Sequence, residues 1–389
     1  MSAASIRAAT EVAAGTRVRV GGRIVLRDGD RARLSDALGA IDVFGATWPD
    51  EGALVEVEGL RSARGIEVET IQVHFVPSRF GHASSEHHAI GARARALETR
   101  AKILASIRAY FASQAFLEVE TPCAVPSPGL DLHLAALSVG GLRSERWLAT
   151  SPEYQMKRLL VGGLPRIFQL GRAFRRDESG HRHQPEFTML EWYRAYEDAE
   201  SVMRDTEQLV GTATSAIDFA RDLSPPWPRI PVARAFETYA GIAMRDVLPD
   251  EEKFFRILTE RIEPRLGIEK PVFLTEWPTS MASLARVVRG STGELVADRF
   301  EAYVDGMELC NGFGELTDPA EQRRRLEHDR SERARLGLDV YPLDERFLAA
   351  LEEGMPPAGG NALGVDRLVM LLSGASDVRD VIAFPDDRL

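Results

Sequence analysis

The sequence predicts an α+β protein with a small N-terminal β domain followed by a larger domain in which strands and helices alternate. Residues 15–76 contain short β-branched alternations separated by glycine and aspartate, a pattern typical of a small barrel. From Ala96, apolar residues recur at helical spacing, and strand-like and helical runs then alternate to Leu389. A length of 389 residues fits two or three such domains.

The first predicted domain, residues 1–80, resembles a trimmed OB-fold in the order and length of its strands. OB-folds often bind nucleic acid, but this domain has nearly equal numbers of arginines and acidic residues. Its few aromatic residues that could stack on bases are Phe44, Trp48, Phe75 and Phe80. A domain that does not bind RNA is therefore at least as well supported as one that does.

Three further segments organise the chain. A polar run without periodicity predicts a linker at residues 81–95, and the larger, catalytic domain is predicted at 96–389. Residues 116–122 predict a short strand that ends at proline. Residues 199–265 are rich in Asp, Glu and Arg and predict a helical insertion, broken by prolines at 225–228.

Composition excludes several classes of protein. The net charge of −11 argues against a broad nucleic-acid surface, which needs many cations. Cys123 and Cys310 cannot form a disulfide framework, and the scattered histidines do not predict a zinc site. No apolar run approaches the roughly 18 residues of a membrane span, and no signal peptide is recognisable, so we expect a cytoplasmic protein.

The first chemical constellation is a pair of strand-like runs, Ile167–Phe174 and Glu186–Tyr196, around a charged loop. The period of a strand places four side chains on one face: Phe187, Met189, Glu191 and Tyr193. Such a face can hold a purine by stacking and an ammonium by charge. Phosphate-binding donors are offered by Arg172, Arg175, Arg176, Arg182 and His183. Taken alone, the segment could also be a solvated charged hairpin.

The second constellation contains a hairpin signal, Asp305-Gly306, followed by Glu308 and Glu315. Paired carboxylates near phosphates imply Mg²⁺ bound through oxygen. Residues seven apart lie on opposite faces of an ideal strand. Either a bulge at the intervening glycines aligns the two carboxylates, or they have separate roles.

The third constellation is a glycine-rich run, with Gly359, Gly360 and Gly364 ahead of a predicted helix at Val365–Leu372. Glycines before a helix N-terminus can form an anion site from backbone amides, to which Arg367 adds a positive charge. Alone this is weak and could be a structural cap. Together with the other two segments it predicts the third wall of an ATP site.

These segments, with residues 116–122, resemble the signature motifs of class II aminoacyl-tRNA synthetases in the correct order over residues 96–389. PEFTMLEWY, TSPEYQMKRLL and ALGVDRLVML are nearly identical to motifs of the subgroup containing lysyl-tRNA synthetases and the shorter elongation factor P–(R)-β-lysine ligases. The resemblance implies a six- or seven-stranded antiparallel sheet flanked by helices, a homodimer formed through 116–122, and adenylation with ATP and Mg²⁺.

The resemblance also implies roles for individual residues. Arg175 would grip the α-phosphate, Phe187 would stack on adenine, and Arg367 would cover the other side of adenine and reach the γ-phosphate. Glu308 would bind Mg²⁺, with Glu315 as a second metal ligand. Further ATP contacts would come from Arg176, Asp177, His183, Gln184, Leu309, Asn311 and Gly364. Where the family has Arg-Asn-Glu, this chain has Arg175-Arg176-Asp177, so Glu178 is an alternative to the shorter acid.

For the amino acid, the resemblance implies that Glu153 holds the backbone-side amine. Glu315 and Tyr193 would bind the side-chain ammonium, with Glu191 nearby. Such a site would distinguish a diamino acid from amino acids with apolar side chains, because an apolar side chain would leave a buried carboxylate unpaired.

The acceptor depends on fewer residues. Ser151 replaces the usual alanine of the tRNA synthetase, and Ala362 replaces a glycine, where its methyl group would crowd an α-amine and tolerate a β-amine. With the undersized N-terminal domain, these features favour (R)-β-lysine and transfer to a lysine of elongation factor P. A minimal or paralogous lysyl-tRNA synthetase that charges tRNA is the alternative, because the ligases usually begin at the catalytic domain. A catalytically silent synthetase-like regulator would require losses at Arg175, Glu308 or Arg367, which the sequence does not show.

Overall fold

The computed structural model describes residues 4–80, 86–141, 144–217 and 219–389. The chain divides into two compact units, Met1–Glu98 and Thr99–Leu389. Among the described residues, no helix is both long enough and apolar enough to cross a membrane.

The N-terminal unit contains helix α1 (Ile6–Glu11) and five strands. They are β1 (Arg17–Asp28), β2 (Arg31–Ser35), β3 (Ala40–Phe44), β4 (Leu54–Ser62) and β5 (Gly65–Phe75). Hydrogen bonds join them in the order β1-β2-β3-β5-β4, and β4 pairs back with β1 to close the ring. Their alternating residues bury an apolar core, as the sequence pattern predicts. Trp48 is in this core and is not available to stack on a base, whereas Phe75 is 57% exposed.

Helix α2 (Glu86–Ser113) corrects the predicted linker, because it already includes residues 86–95. Alanine, glutamate and arginine in this segment have high helix propensity, which outweighs the lack of an apolar period. Residues 81–85, also assigned to the linker, lie outside the described residues.

The second unit is built on a large mixed sheet in the order β12-β13-β15-β16-β17-β11-β10-β6, with β14 paired to β15. These strands are β6 (Leu117–Glu118), β10 (Arg166–Phe174), β11 (Glu186–Ala195), β12 (Arg229–Pro231), β13 (Val272–Trp277), β14 (Val287–Arg289), β15 (Leu295–Val304), β16 (Met307–Gly314) and β17 (Ala358–Gly364). Its pairs are antiparallel except β12–β13 and β10–β6 at the edges. The sheet has nine strands among the described residues, whereas six or seven were expected. The expected antiparallel arrangement is correct for the centre and wrong for the edges, where strands entered through longer connections run parallel.

A separate small sheet and seven further helices complete this unit within the described residues. The small sheet has the order β7-β9-β8, formed by β7 (Ala124–Val125), β8 (Ser138–Val139) and β9 (Arg146–Leu148). The helices are α3 (Glu153–Val161), α4 (Ala199–Ser215), α5 (Val232–Ala235), α6 (Glu251–Ile257), α7 (Pro319–Arg335), α8 (Glu345–Gly354) and α9 (Val365–Ser373). Aspartate side chains cap α4, α6, α7 and α8 by accepting from first-turn amides.

Two predicted elements differ from the structure. The region 199–265 is not wholly helical, because β12 lies within it and adds an edge strand to the sheet. The glycine-rich run at Gly359 and Gly360 is not a loop but part of β17, a central strand. Glycine at these positions allows neighbouring residues to pack directly against the backbone of β17. Intrinsic strand propensity does not include such contacts, so it did not predict a strand here.

Candidate active site

The three predicted constellations meet because β16, β17 and β11 are neighbours in the sheet. Glu191 lies opposite Ala362, and Ala362 lies opposite Asn311, so the three side chains share one row of one face. Two residues along, Tyr193, Gly360 and Phe313 form the next row. These rows line a cavity of about 370 Å³.

One end of the cavity is cationic. Arg175 follows β10, and its guanidinium lies 5.1 Å from the centre of the Phe187 ring. Its Nε is buried without a hydrogen-bond partner, and its Nη1 is 3.5 Å from the Glu178 carboxylate. Arg182 also lines this end and donates to the Gly306 carbonyl at 3.2 Å. Such a group of donors suits an anion.

Arg367, in the first turns of α9, donates to the Glu308 carboxylate at 3.0 Å. Its other terminal nitrogen lies 2.6 Å from Nε2 of His183. Burial and the adjacent Arg367 lower the pKa of His183, which favours the neutral imidazole that can accept from Arg367. Arg367 thus lines the same cavity as Arg175.

The predicted ATP contacts at Arg176 and Asp177 are not brought to the cavity. Asp177 has a positive φ of 68°, which aspartate tolerates, and its side chain is 77% exposed. Arg176 pairs with this carboxylate and with Asp339 at 2.6 Å. Glu178, the alternative to Asp177 in the sequence, lines the cavity instead.

The other end of the cavity is acidic and contains a buried lysine. Lys157 Nζ lies 2.5 Å from a carboxylate oxygen of Glu153 and 2.5 Å from one of Glu315. Burial alone would lower the pKa of Lys157, but the Glu153 and Glu315 carboxylates outweigh it and raise the pKa above its usual value. Burial, and then Glu153, raises the pKa of Glu315 to about 7, although Lys157 opposes the shift.

Glu191 is the third carboxylate at this end and is 1% exposed. The Ser151 hydroxyl donates to one of its oxygens at 2.6 Å, and the Tyr193 hydroxyl donates to the other at 3.0 Å. Burial, and then the nearby Glu153 charge, raises the pKa of Glu191 to about 8. Both of these hydrogen-bond donors are neutral, so the carboxylate is suited to receive an ammonium group.

Gly360, in the middle of the second row, has no space for a side chain. A Cβ at this position would lie 2.3 Å from Oε1 of Glu315 and 2.4 Å from the Tyr193 ring. The missing side chain therefore allows Glu315 and Tyr193 to approach the same space.

Glu308 and Glu315 have separate contacts, one of the two possibilities left open by the sequence. The register shift between β15 and β16 lies at Leu309 rather than at the glycines. Glu308 contacts Arg367 at the cationic end, whereas Glu315 contacts Lys157. Glu315 therefore lies at the acidic end of the cavity, with the internal ammonium of Lys157 as its counter-charge.

Fifteen of the predicted site residues line the cavity together. They are Ser151, Glu153, Arg175, His183, Gln184, Phe187, Glu191, Tyr193, Glu308, Leu309, Asn311, Glu315, Ala362, Gly364 and Arg367. The structure also adds residues that the sequence did not indicate, namely Asp131, His133, Arg299 and, below the cavity, Lys157. Lys157 follows Glu153 by four residues, so the helical Glu–Lys spacing was the available signal.

Arg299 belongs to a buried polar network behind the cationic end. Its guanidinium donates to Glu301 at 2.6 Å, and the Tyr303 hydroxyl donates to the same carboxylate at 2.6 Å. Burial raises the pKa of Glu301 to about 7, and Arg299 opposes this while Glu308 adds to it. The amide nitrogen of Asn311 also reaches Glu301, at 3.4 Å, and leaves its Oδ1 buried without a partner.

A comparison with known families is consistent with this arrangement. The sequence profile of the class II tRNA synthetases (D, K and N) matches residues 91–388. The match includes α2 from Gly91 onward and every residue that lines the cavity.

Proposed function

Because the chain belongs to the class II tRNA synthetases (D, K and N), we propose that it uses ATP to activate a lysine-type diamino acid as its adenylate. One observation supports this substrate above the others. Two carboxylates, on Glu153 and Glu315, contact the buried ammonium of Lys157, and the buried carboxylate of Glu191 lines the same cavity. When all four groups are charged, two negative charges are left for a substrate with two ammonium groups.

The other amino acids of this family fit the acidic end poorly. An aspartate side chain would place a fourth carboxylate beside Glu153, Glu191 and Glu315. Asparagine has no side-chain ammonium, so it offers no ion pair to offset the burial that raises the pKa of Glu191 and of Glu315. A lysine-type substrate instead converts each carboxylate into part of an ion pair.

The cationic end supports the chemistry of adenylation. The substrate carboxylate attacks the α-phosphorus of ATP, the bond from that phosphorus to the bridging oxygen breaks, and pyrophosphate leaves. Two anions must approach each other, so the protein contributes positioning and positive charge. Arg175 and Arg367 supply that charge, and Phe187 offers a ring on which adenine can stack.

Mg²⁺ is implied by this family and is compatible with the residues present. Among the described residues, no group of three or more His, Cys, Asp or Glu side chains forms a metal site. Mg²⁺ commonly uses one or two protein oxygens together with substrate phosphates. The Glu308 carboxylate and the unpartnered Oδ1 of Asn311 would provide such oxygens. When bound, the ion would neutralise phosphate charge.

The proposed acceptor is the ε-amine of a lysine on elongation factor P, with (R)-β-lysine as the activated amino acid. Ser151 donates to Glu191, a contact that an alanine cannot make. The Ala362 methyl lies in the row between Glu191 and Asn311, where it restricts the position of a substrate amine. Both features support a substrate whose amine is displaced from the α-position.

Lysyl-tRNA synthesis is the second candidate, and the N-terminal unit supports it. The ring order β1-β2-β3-β5-β4 is compatible with an OB-like module that would contact tRNA. In either case we propose a homodimer through residues 116–122, where the short strand β6 lies at the sheet edge and Leu117 is 51% exposed.

Pyrophosphate exchange tests the activation step. We expect exchange with (R)-β-lysine and, more weakly, with α-lysine. Norleucine and 6-aminohexanoate each lack one amine and should be slower by about 10⁴-fold, because a buried carboxylate stays unpaired. Equal exchange with norleucine would exclude the diamine proposal.

Labelled aminoacyl transfer tests the acceptor. We expect the label on elongation factor P and not on tRNA(Lys). Efficient charging of tRNA(Lys) would select the second candidate and leave the activation step intact. Ala362→Gly should increase the use of α-lysine relative to (R)-β-lysine, and an unchanged ratio would exclude Ala362 as a determinant.

A further inference from the structure

Lys157 is the most deeply buried charged side chain in the acidic end of the cavity. It projects from α3 and is 0% exposed. A buried ammonium is expensive unless it is paired, and here it is paired twice, with Glu153 and with Glu315. An ammonium has three N–H donors, so two carboxylates stabilise it better than one, and the origin of the second carboxylate is informative.

The two partners come from different elements. Glu153 is four residues before Lys157 on α3, whereas Glu315 follows the end of β16. The lysine therefore links the helix to the sheet through the two carboxylates that face the cavity. Its Nζ fixes one oxygen of each, namely Oε1 of Glu153 and Oε2 of Glu315.

Glu153 and Glu315 both line the cavity that the substrate would occupy. Neither carboxylate oxygen of Glu315 accepts a hydrogen bond: Oε2 forms an ion pair with the Lys157 ammonium at 2.5 Å, and Oε1 is buried without a partner. It is the atom that a Cβ on Gly360 would meet, and Gly360 lines the cavity. An unpartnered carboxylate oxygen in such a position is suited to accept from a substrate ammonium.

We propose that Lys157 is a specificity-determining positioning residue, which bridges Glu153 and Glu315 and thereby holds one oxygen of each carboxylate toward the amines of the substrate. This inference depends on the proposed activation of a diamino acid. Lys157 neutralises one of three carboxylates, so the cavity is matched to two substrate ammonium groups rather than to one or three.

Protonation also prevents Lys157 from acting as an acceptor. An aminoacyl adenylate is attacked by a neutral amine, whose lone pair forms the new amide bond as AMP leaves. The Glu153 and Glu315 charges overcome the effect of burial and raise the pKa of Lys157, so its nitrogen retains a third hydrogen and has no free lone pair.

The test compares Lys157→Met with Lys102→Met, the same change at an exposed lysine on α2. We expect Lys157→Met to raise KM for (R)-β-lysine and α-lysine in pyrophosphate exchange by at least about 100-fold. The Kd for ATP, measured by calorimetry, should change by less than about 3-fold, which also reports that the protein is folded. Lys102→Met should resemble the wild type in both measurements.

The pH dependence separates positioning from general destabilisation. Without Lys157, the buried Glu153 and Glu315 hold their protons to higher pH, so the KM defect should shrink between pH 7 and pH 9. A structural defect would raise KM by the same factor at each pH, and that result would overturn the inference.

A double-mutant cycle with Glu315→Gln gives a second test and covers the case in which Lys157→Met does not fold. The double variant removes the cation and one of its two carboxylates, so the net charge of the buried group is the same as in the wild type. If Lys157 acts through Glu315, adding Lys157→Met to Glu315→Gln should raise KM by less than about 10-fold. A full 100-fold effect in that background would overturn the inference. Absence of exchange with any amino acid in the wild type would instead overturn the proposed function.

Discussion

The guanidinium of Arg367 donates to the Glu308 carboxylate at 3.0 Å and to the Glu308 carbonyl at 2.9 Å. These contacts join α9 to β16 at the cationic end of the cavity. The same guanidinium reaches His183 in the loop between β10 and β11. Phosphate oxygens of ATP would accept from the same N–H groups, so we expect ATP to replace one of these acceptors and to couple the loop to the helix.

The adjacent arginines Arg175 and Arg176 should differ sharply in their contribution to catalysis. Arg175 lines the cavity beside Phe187, whereas Arg176 pairs with Asp339 outside it. Arg175→Ala should lower kcat/KM for pyrophosphate exchange by at least about 100-fold, since a charge that stabilises the transition state is lost. Arg176→Ala is the matched control and should stay within about 3-fold of the wild type.

Two results would contradict this assignment. Retained exchange in Arg175→Ala would show that another group neutralises the α-phosphate. An equal loss in Arg176→Ala would show that Arg176 leaves Asp339 and enters the cavity during the reaction.

Glu191 should give amino-acid binding a characteristic pH dependence. Burial and the Glu153 charge raise the pKa of Glu191 from 4.5 to about 8, and a bound ammonium favours its ionised form. The value of kcat/KM for the amino acid should therefore rise from pH 6 to about pH 8 and then level off. Glu191→Gln should be weaker and nearly flat over this range, and an unchanged rise in that variant would assign the titration to another group.

The same shift has a consequence for stability. A carboxyl whose pKa is raised on folding takes up protons in the folded state, so its favourable contribution is lost as pH rises from 4.5 to about 8. Relative to the wild type, Glu191→Gln should thus gain free energy of unfolding as pH increases through this window. Urea denaturation at pH 6 and pH 9 measures the difference.

Strand periodicity and turn chemistry were sufficient for part of this fold. The alternation from Phe187 to Tyr193 predicted one face of β11, and Asp305-Gly306 predicted the turn between β15 and β16, where both residues have positive φ. The glycines of β17 were misleading because their role is set by neighbours that are distant in sequence. Gly360 is a strand residue between Tyr193 and Phe313, a fact that depends on register and not on propensity.

The charges of the site were only partly predictable for a related reason. A Glu–Lys pair at helical spacing usually predicts a surface ion pair, yet Lys157 is fully buried because Glu315 arrives from β16 to share it. Similarly, Asp177 looked equivalent to Glu178 in sequence. A positive φ at Asp177 turns its side chain to solvent and leaves Glu178 beside Arg175.

A buried ion pair outside the cavity, between Arg194 and Asp205, should be important for stability. Arg194 donates to both oxygens of Asp205 at 2.5 and 2.7 Å, and the Tyr110 hydroxyl donates to the same carboxylate at 2.9 Å. Asp205→Ala leaves the guanidinium buried without a counter-charge and should lower the free energy of unfolding by about 3–5 kcal/mol. Asp246→Ala is the control, because it removes the exposed partner of Arg245 and should lower the free energy of unfolding by less than about 0.5 kcal/mol. Similar losses of stability in both variants, measured by thermal denaturation, would contradict the argument.

Gly360→Ala should impair amino-acid binding while ATP binding persists. The new Cβ would lie 2.3 Å from Oε1 of Glu315 and 2.4 Å from the Tyr193 ring, so one of these groups must move. Since both belong to the acidic end, KM for (R)-β-lysine should rise by at least about 10-fold, whereas the Kd for ATP should change little. Gly211→Ala, on α4, meets no atom within 4 Å and should leave KM unchanged while it stabilises the protein by about 0.5–1 kcal/mol. If Gly360→Ala weakened ATP and amino-acid binding equally, the clash would act on the whole sheet and not on the contact between Glu315 and Tyr193.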